Sequence, residues 1–311
     1  MRETISVILV NYNGKEYNDK CIQSILNSTI RGQIKIIIVD NLSTDGSLEA
    51  LEEHWGSNEQ IQIIQLRRNY GFSRANNEGI RAAIKQGIEN FLLLNNDTEI
   101  ESFTIEKMVE SQKQTGAIVV PKVLYADRPE IIWCAGGEFS SVVKKPRQSG
   151  LNQPDGPEFQ VSRFCGFANG CGLLLTKEII DKIGFLDERF VLYYEDTEYS
   201  LRALDNGISV WYCADAVVYH KVNGSTKGNE RPENAYYITR NWLLCNRLHM
   251  KGRFLLFVIY FLINRLAWIF IWTIQGKQDM VKALLAGVKD FCTHRYGSVR
   301  KRNYEDEVDE K

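Results

Sequence analysis

The amino-acid sequence predicts an α/β protein with a mostly parallel sheet and helices on both of its faces. Short apolar runs rich in β-branched residues recur through the first hundred residues, and helix-like segments separate them. The runs are "ISVILV", "KIIIV", "IQIIQL" and "FLLLN", and the helix-like segments lie near 15–29, 46–55 and 73–87. This alternation is typical of a parallel sheet, because parallel strands are joined by crossover helices.

Length and composition are those of a globular protein. The chain has 311 residues, of which 44% are hydrophobic, enough to bury one large core or two smaller ones. The seven cysteines are odd in number and include no C-x-x-C pair, which argues against a disulfide framework and a thiolate zinc site. The first apolar run is shorter than a signal-peptide core. We therefore expect reduced thiols and a cytoplasmic location.

Polar residues follow all four apolar runs. In parallel sheets, ligands bind outside the carboxyl ends of the strands, so these residues form the candidate site. Those at the strand ends are Asn11, Asn13, Asp40, Asn69, Gly71, Asn95, Asn96 and Asp97. Arg74, Asn76 and Asn77 then open a helix, and one cation with two amides there suits a nucleotide diphosphate. Taken singly, each residue also fits a helix cap or a turn.

The first turn, "NYNGKEYND", narrows the class of ligand. It contains neither the G-x-G-x-x-G of dinucleotide-binding folds nor a P-loop, which argues against a dehydrogenase and a P-loop NTPase. Asp40, after the second run, could accept a hydrogen bond from a base or ribose. The residues alone therefore predict an α/β domain that binds a phosphate or nucleotide.

Five motifs resemble one family of enzymes. In chain order they are "VILVNYNG", "IIIVDNLSTDGS", "NYGFSRANNEGI", "FLLLNNDTEI" and "GFLDERFVLYYEDTEYSLRALDNG". Together they resemble the family 2 glycosyltransferases of GT-A fold, particularly the bacterial rhamnosyltransferases and galactofuranosyltransferases, over about residues 4–222. The resemblance implies a nucleotide-sugar donor, a divalent Mg²⁺ or Mn²⁺ on its diphosphate, and sugar transfer with inversion at the anomeric carbon.

The resemblance also implies a metal site. The family's D-x-D motif corresponds to Asn95-Asn96-Asp97, in which Asp97 keeps the carboxylate that usually touches the metal. Asn95 offers only a neutral amide oxygen, so the site has one charge fewer than the full motif. The resemblance aligns His220 with the histidine that completes the metal site of galactofuranosyltransferases. A purely structural histidine is the alternative.

Transfer to a hydroxyl requires a base, because an acceptor hydroxyl is a very weak acid. Glu195 and Asp196 are adjacent acids at the start of a predicted helix, where acids are also favoured for purely structural reasons. The family's "ED" motif has its catalytic base at the second position, which corresponds to Asp196. We expect Glu195 and Arg202 to support it.

The C-terminal region has a different character. Residues 247–302 contain eleven Lys or Arg against two acids, and residues 254–274 are apolar except for Asn264, Arg265 and Thr273. The apolar stretch is just long enough to span a bilayer, but Arg265 would then lie near the midplane at a cost of roughly 2.5–3.5 kcal/mol. We expect helices that lie in an anionic membrane surface. A buried helical hairpin or a dimer interface is the alternative.

These observations predict an organisation of the chain. Residues 143–158, rich in Pro, Gly and charge, are predicted to form a mobile loop near the acceptor. Arg240, Asn241 and Trp242 are expected to dock a helix. The predicted parts are 1–98 (nucleotide-sugar-binding half), 99–222 (acceptor-binding and catalytic half), 223–297 (membrane-associated helices) and 298–311 (charged flexible tail).

The sequence thus predicts an inverting, metal-dependent glycosyltransferase at the inner face of the cell membrane. The expected donor is a UDP- or dTDP-sugar, with dTDP-L-rhamnose favoured, and the acceptor is a saccharide or lipid-linked saccharide in cell-surface polysaccharide synthesis. A nucleotidyltransferase of GT-A-like fold and a non-catalytic nucleotide-sugar-binding relative are the alternatives. Nucleic-acid binding is disfavoured, because the basic residues surround an apolar stretch and accompany no nucleic-acid-binding motif.

Overall fold

The protein's structure is a computed structural model that describes residues 4–140, 143–221 and 231–297. Its strands are β1 (Thr4–Asn11), β2 (Gln33–Asp40), β3 (Ile61–Gln65), β4 (Asn90–Asn95), β5 (Thr98–Ile100), β6 (Ile118–Tyr125), β7 (Arg128–Cys134), β8 (Gly137–Phe139), β9 (Pro146–Gln148), β10 (Arg163–Cys165), β11 (Gly172–Thr176) and β12 (Val210–His220). Its α-helices are α1 (Asn18–Leu26), α2 (Ser47–Trp55), α3 (Phe72–Lys85), α4 (Thr104–Thr115), α5 (Lys177–Ile183), α6 (Glu195–Asp205), α7 (Pro232–His249), α8 (Phe254–Ile274) and α9 (Gln278–Cys292).

Ten of these strands form one mixed sheet. The main order is β10-β12-β6-β11-β4-β1-β2-β3, with β5 paired to β12 and β7 paired to β6. The part built from β1 to β4 is parallel throughout, whereas β11 joins it antiparallel to β4. The predicted α/β class and the four predicted strands are confirmed. The antiparallel pairings all involve strands from β5 onward.

Apolar side chains alternate between the two faces of the sheet. In β1, Val7 and Leu9 pack with Ile22 of α1 on one face, whereas Ile8 packs with Ile80 of α3 on the other. All three β1 side chains are at most 1% exposed. Because successive strand residues point to opposite faces, burial of both sets requires helices on both faces. This confirms the predicted layering.

The parallel strands bring their polar last residues to one edge of the sheet. Asn11, at the end of β1, lies opposite Asp40, at the end of β2. On the other side of β1, Val10 lies opposite Asn95, at the end of β4. The side chains that the sequence assigns to strand ends therefore gather at the carboxyl edge, where open α/β sheets bind ligands.

Strand β12 connects the second half of the sheet to this edge. Its last residues run antiparallel to β5, and His220 lies opposite Thr98. Since Asp97 directly precedes β5, this pairing brings Asp97 and His220 together although they are far apart in the chain. Between Cys213 and Val217 the register with β6 shifts, which leaves Ala214–Ala216 of β12 unpaired on β6.

Helix α8 has a large exposed apolar surface. Residues Lys251–Ile274 form a helical segment of 24 residues whose most apolar 18-residue window has a mean hydropathy of 2.2, long and apolar enough to cross a membrane by these two criteria. Only 11% of its most apolar window is buried, so a buried hairpin does not describe α8. Large side chains that are more than half exposed include Leu255, Leu256, Ile259, Leu262, Ile263, Leu266, Phe270 and Ile274. An exposed surface of this kind marks an interaction site.

The one charged residue within α8 faces the protein body. The guanidinium of Arg265 lies 5.0 Å from the ring centroid of Trp242 on α7 and 5.3 Å from that of Phe261. Trp242 in turn packs edge-on against Phe257 of α8. These contacts leave the outward face of α8 free of charge, and they confirm that Trp242 docks a helix.

The predicted boundaries fall at different places in this architecture. Residue 99 lies within β5, and strands from both sides of it share the sheet, so the first two parts are halves of one domain. The segment 143–158 contains β9, which pairs with β8, and the start of a 3₁₀ turn at Pro157–Phe159. The boundary at 222 and the predicted tail, 298–311, lie outside the described residues.

Candidate active site

Asn11 is the centre of a hydrogen-bonded cluster at the carboxyl edge of the sheet. Its Nδ2 donates to Asp40 Oδ1 at 2.7 Å, to Ser47 Oγ at 2.9 Å and to Ser43 Oγ at 3.0 Å. Asp40 Oδ2 accepts from the backbone N–H of Ser43 at 3.1 Å. Asn11 and Asp40 are both fully buried. Asp40, expected to meet a base or ribose, is thus already bonded to the loop that opens α2.

The other side of Asn11 joins this cluster to the end of β4. Asn11 Oδ1 accepts from Nδ2 of Asn18 at 2.9 Å and from Nδ2 of Asn96 at 3.2 Å. Asn13 lies nearby with a φ of 56°, and its Oδ1 accepts from the backbone N–H of Thr44 at 2.8 Å. Asn96 and Asn13 therefore fix the loops around the candidate donor site. Asn18, buried in α1, is part of the cluster although its sequence context gives no signal for it.

The connection from β3 to α3 contains Asn69 and Gly71. Asn69 Oδ1 accepts from Asn41 Nδ2 and from the backbone N–H of Gly71, both at 2.9 Å. Gly71 has a φ of 84°, and a Cβ at this position would lie 2.5 Å from the carbonyl oxygen of Val191. The sequence places Gly71 among the candidate ligand-binding residues. In the structure the space beside its Cα is taken by the backbone of Val191.

The three polar residues at the start of α3 have different environments. Arg74 stacks 4.1 Å from the ring centroid of Tyr70, its Nε lies 3.8 Å from Glu188 Oε2, and its side chain is 41% exposed. Asn76 donates to the carbonyl of Phe72 within the helix. Asn77 is fully buried and bonds both backbone polar groups of Leu186. Asn77 therefore holds the segment before α6 in place, and its side chain is not free to bind a nucleotide-sugar donor.

Asp97, Asn95 and His220 converge at the end of β4. Nε2 of His220 lies 3.3 Å from Asp97 Oδ1. Oδ1 of Asp97 and Oδ1 of Asn95 are buried and accept no hydrogen bond from the described residues. Buried acceptors without donors are costly, and a cation would satisfy them. Their chemistry, one carboxylate, one amide oxygen and one imidazole, fits a divalent ion such as Mn²⁺.

The candidate cation site is not a complete set of strong ligands. In the part of the chain that the structure describes, no three His, Cys, Asp or Glu side chains are grouped so as to hold a metal ion. Cys171 Sγ lies 3.6 Å from His220 Nδ1 and accepts from Asn95 Nδ2 at 3.4 Å. Trp133 packs edge-on against the His220 ring at 4.9 Å between centroids. The sequence analysis missed Cys171 and Trp133, which surround the histidine without any sequence motif.

Asp196 lies in the first turn of α6 with defined partners. Its Oδ2 accepts from the backbone N–H of Gly170 at 3.2 Å, and its Oδ1 accepts from the backbone N–H of Thr197 at 2.6 Å. Glu195 is half-buried beside it, and its buried Oε2 has no hydrogen-bond partner among the described residues. Arg202 pairs with Glu198 at 2.7 Å and donates to backbone carbonyls. The expected support of Asp196 by Arg202 is therefore not a direct contact.

Burial raises the pKa of both acids. For Glu195, burial and then the charge of Asp196 raise the pKa to about 8. Burial also raises the pKa of Asp196, while the N–H groups of Gly170 and Thr197 oppose this shift. Two adjacent buried carboxylates titrate as a pair, and the first proton goes to the group with less hydrogen bonding. At neutral pH this favours a protonated Glu195 beside an ionised Asp196, which can act as a base.

A short stretch of backbone joins the acid pair to the candidate cation site. Gly170 donates to Asp196, and the next residue, Cys171, contacts both His220 and Asn95. This backbone therefore links the candidate base to the candidate metal ligands.

Comparison with known proteins points to one family. The model for Glycosyl transferase family 2 matches residues 6–159, close to half of the chain. The low-salt glycan biosynthesis hexosyltransferase Agl10 of Haloferax volcanii is 27% identical over 76% of this chain and 73% of its own. The dTDP-rhamnosyl transferase RfbF of Shigella flexneri is 24% identical over 80% of this chain and 82% of its own.

A solved structure supports the fold. The mannosyltransferase PcManGT of Pyrobaculum calidifontis, solved with GDP-Man and Mn²⁺, has a TM-score of 0.60 and 12% identity, over 95% of this chain and 88% of that one. At this identity the likeness concerns the GT-A fold alone, which confirms the predicted fold. Sequence motifs, family model and fold agree, and the chain belongs to glycosyl transferase family 2.

Proposed function

We propose that the protein transfers a sugar from a nucleotide-sugar donor to an acceptor hydroxyl, with inversion at the anomeric carbon. The observation that carries this proposal is a pair of buried acceptors, Oδ1 of Asn95 and Oδ1 of Asp97, which accept no hydrogen bond from the described residues. The backbone of Gly170 and Cys171 connects this pair to Asp196. A cation-binding group and a carboxylate base on either side of one short segment are what an inverting transfer needs.

Asp97, His220 and Asn95 would hold Mn²⁺ or Mg²⁺ together with the donor diphosphate. When bound, the ion stabilises the negative charge that develops on the departing nucleoside diphosphate. With only one carboxylate among the three ligands, we expect weak metal binding without the donor, because its phosphates must supply further ligands. Arg74, whose side chain is partly exposed, would add a cation for the diphosphate.

Asp196 would take the proton of the acceptor hydroxyl as the new glycosidic bond forms. Its two backbone hydrogen bonds fix its orientation and keep it more acidic than Glu195. A protonated Glu195 beside it avoids a second negative charge in the acceptor site. These assignments are the predicted roles of the two acids.

The donor that we favour is dTDP-L-rhamnose, with other dTDP- and UDP-sugars as alternatives. The support is the similarity to the Shigella flexneri dTDP-rhamnosyl transferase, over four fifths of both chains. The name of the Haloferax volcanii relative also supports a role in the synthesis of cell-surface glycans. A saccharide or lipid-linked saccharide is the acceptor class that we propose.

The exposed face of α8 would bind the inner face of the cell membrane. Its outward side chains are apolar, Arg265 is turned inward, and Lys251 and Arg253 are exposed just before the helix. Apolar side chains flanked by cations are typical of helices that lie in an anionic interface. This location would bring the enzyme to a lipid-linked acceptor.

A panel of donors tests the proposed function. The thermal stability of the full chain is measured with UDP-, dTDP- and GDP-sugars, each with and without Mn²⁺. A shift with dTDP-L-rhamnose that requires Mn²⁺ is expected, since a ligand that binds only the folded state stabilises it. Transfer of labelled rhamnose to a membrane lipid extract then tests the reaction. The absence of any Mn²⁺-dependent shift across the panel would contradict the proposal.

A further inference from the structure

We infer that Asn241, buried in α7, is a positioning residue that presents Asp196 to the acceptor by holding a strained bend in front of α6. The inference rests on the proposed function of Asp196. It concerns a side chain that lies outside the candidate site and reaches it through backbone contacts.

The bend consists of Tyr193 and Tyr194, immediately before Glu195 and Asp196. Their φ angles are 65° and 72°, which places two successive bulky residues in the left-handed region. Non-glycine residues seldom adopt this conformation, and aromatic residues gain nothing from it locally. Such a bend persists only where surrounding contacts hold it. Since Asp196 is two residues further on, the bend sets the direction in which α6 begins.

Asn241 supplies these contacts. Its Nδ2 donates to the carbonyl of Leu192 at 2.8 Å and to that of Tyr193 at 2.7 Å. Two acceptors at one atom require a nitrogen there, which fixes the orientation of the amide. Asn241 is fully buried, so no water would replace its donors if they were removed.

Arg240 fixes the amide of Asn241 from the other side. Its Nε donates to Asn241 Oδ1 at 2.9 Å, and its Nη2 donates to the carbonyl of Arg189 at 3.2 Å. Arg240 is 1% exposed, and its guanidinium packs over the rings of Tyr236 and Tyr237, 5.3 Å and 5.2 Å from their centroids. A buried arginine that is held in this way orients the asparagine rigidly.

The bend is also packed against the C-terminal helices. Tyr194 packs in the same cluster as Trp242, Phe257 and Phe261. Trp242 directly follows Asn241, and it is the residue against which α8 packs. The base is therefore connected to the C-terminal helices by one short stretch of α7, and this stretch does more than dock a helix.

The test combines Asn241→Asp with Asp196→Asn. Asn241→Asp keeps the size of the side chain but replaces the donor by a third acceptor facing two carbonyls. We expect the kcat for rhamnose transfer from dTDP-L-rhamnose to a membrane lipid extract to fall about 100-fold, as for a small misplacement of a catalytic group. Binding of dTDP with Mn²⁺ is expected to stay within about two-fold of the wild-type value. In the Asp196→Asn background, Asn241→Asp should cause no further loss, because the two residues act as one unit.

Asn246→Asp is the matched control. Asn246 is equally buried in α7, and among the described residues its Nδ2 donates only to the Trp242 carbonyl, within the helix. We expect it to lower the melting temperature without changing the exchange rates of backbone amides in residues 192–197. Asn241→Asp should accelerate exchange in that segment. If Asn241→Asp does not fold, Asn241→Ser, which removes the donor without adding a charge, should give the same pattern.

Two results would overturn the inference. One is normal exchange in residues 192–197 of the Asn241 variants, which would show that the amide does not hold the bend. The other is an equal loss of kcat from Asn241→Asp in the wild-type and Asp196→Asn backgrounds. Failure of the proposed function looks different: wild type then transfers no rhamnose, or Asp196→Asn is fully active, while the exchange experiment still reports on the bend.

Discussion

Oδ1 of Asp97 lies 3.3 Å from Nε2 of His220, and it accepts no hydrogen bond from the described residues. The pairing of β5 with β12 thus holds two potential metal ligands side by side, and no hydrogen bond from the described residues uses Asp97 Oδ1. The relationship makes the metal hypothesis directly testable by substitution.

Asp97→Asn is expected to weaken Mn²⁺-dependent binding of dTDP by at least about 10-fold. The reason is that loss of even an outer partner of a metal site costs about 10–100-fold in affinity, and Asp97 is the only carboxylate of the proposed set. Isothermal titration calorimetry with dTDP, with and without Mn²⁺, measures the effect. Glu99→Gln is the matched control, since Glu99 lies two residues away and pairs with Lys221. Equal Mn²⁺ dependence in wild type and Asp97→Asn would remove Asp97 from the site.

Asn95→Asp is expected to raise the affinity for Mn²⁺ by about 10-fold, because the charge of the ligands tunes cation affinity. The substitution keeps the shape of the side chain and restores the first acid of the D-x-D pattern. Direct titration with Mn²⁺ measures it. Asn96→Asp adds the same charge one residue away, where the side chain bonds Asn11 and Asn18, and should have a smaller effect. A larger gain from Asn96→Asp than from Asn95→Asp would contradict the placement of the ion.

Asp196→Asn is expected to lower kcat for sugar transfer about 10²–10⁴-fold, the range for loss of a general base. Binding of dTDP with Mn²⁺ should be retained, because Asp196 is assigned to the acceptor and not to the donor. Initial rates and calorimetry together make the distinction. Asp205→Asn, at the opposite end of the same helix, should retain activity. A fully active Asp196→Asn enzyme would exclude this residue as the base.

Stability is expected to fall between about pH 5 and pH 8 because of Glu195. Its pKa is about 8 in the folded protein, raised by burial and then by the charge of Asp196, against an ordinary value of 4.5. Within this window the folded state binds more protons than the unfolded state, so raising the pH favours unfolding. Melting temperatures measured across the window should fall less in Glu195→Gln than in wild type. Glu178→Gln, at an exposed position in α5, should follow wild type. Parallel curves for wild type and Glu195→Gln would contradict the assignment.

The double substitution Leu256→Glu with Ile263→Glu is expected to release the protein from vesicles that contain anionic lipid. The two side chains are 67% and 66% exposed on the outward face of α8, and charges there oppose insertion into the interface. Co-sedimentation with such vesicles at low salt measures the effect. Leu204→Glu, at a leucine of α6 that is 40% exposed, should leave binding intact. Wild-type protein that stays soluble with these vesicles would contradict membrane binding.

The sheet and the location of the site could be predicted because both follow from local patterns. Apolar runs predicted β1 to β4, and the polar residues that follow them gather at one edge because parallel strands end on the same side. Only the family resemblance predicted that Asp97 and His220 lie in one site. Their contact depends on the pairing of β5 with β12, which no local pattern in the sequence indicates.

The partners of individual side chains could not be predicted. Asn77 was predicted to bind the nucleotide-sugar donor, but its side chain is hydrogen-bonded to the backbone of Leu186. The sequence places Gly71 among the candidate ligand-binding residues, but the space beside its Cα is taken by Val191. Arg265 would lie near the midplane of a bilayer that α8 spanned, but in the structure it faces Trp242. Each outcome depends on which distant segment packs nearby, and short polar or glycine-rich motifs carry no information about that.

The irregular pairing of β12 affects how this chain tolerates the deletion of single residues. Ala214–Ala216 have no partner on β6, so they act as a spacer between the part of β12 that begins the strand and the part that ends at His220. Strand side chains alternate with a period of two. If the strand before the spacer keeps its pairing, deleting one spacer residue shifts the last segment by one position and places a neighbour of His220 opposite Thr98. The candidate site therefore depends on the number of residues in a stretch of β12 that contains none of its members.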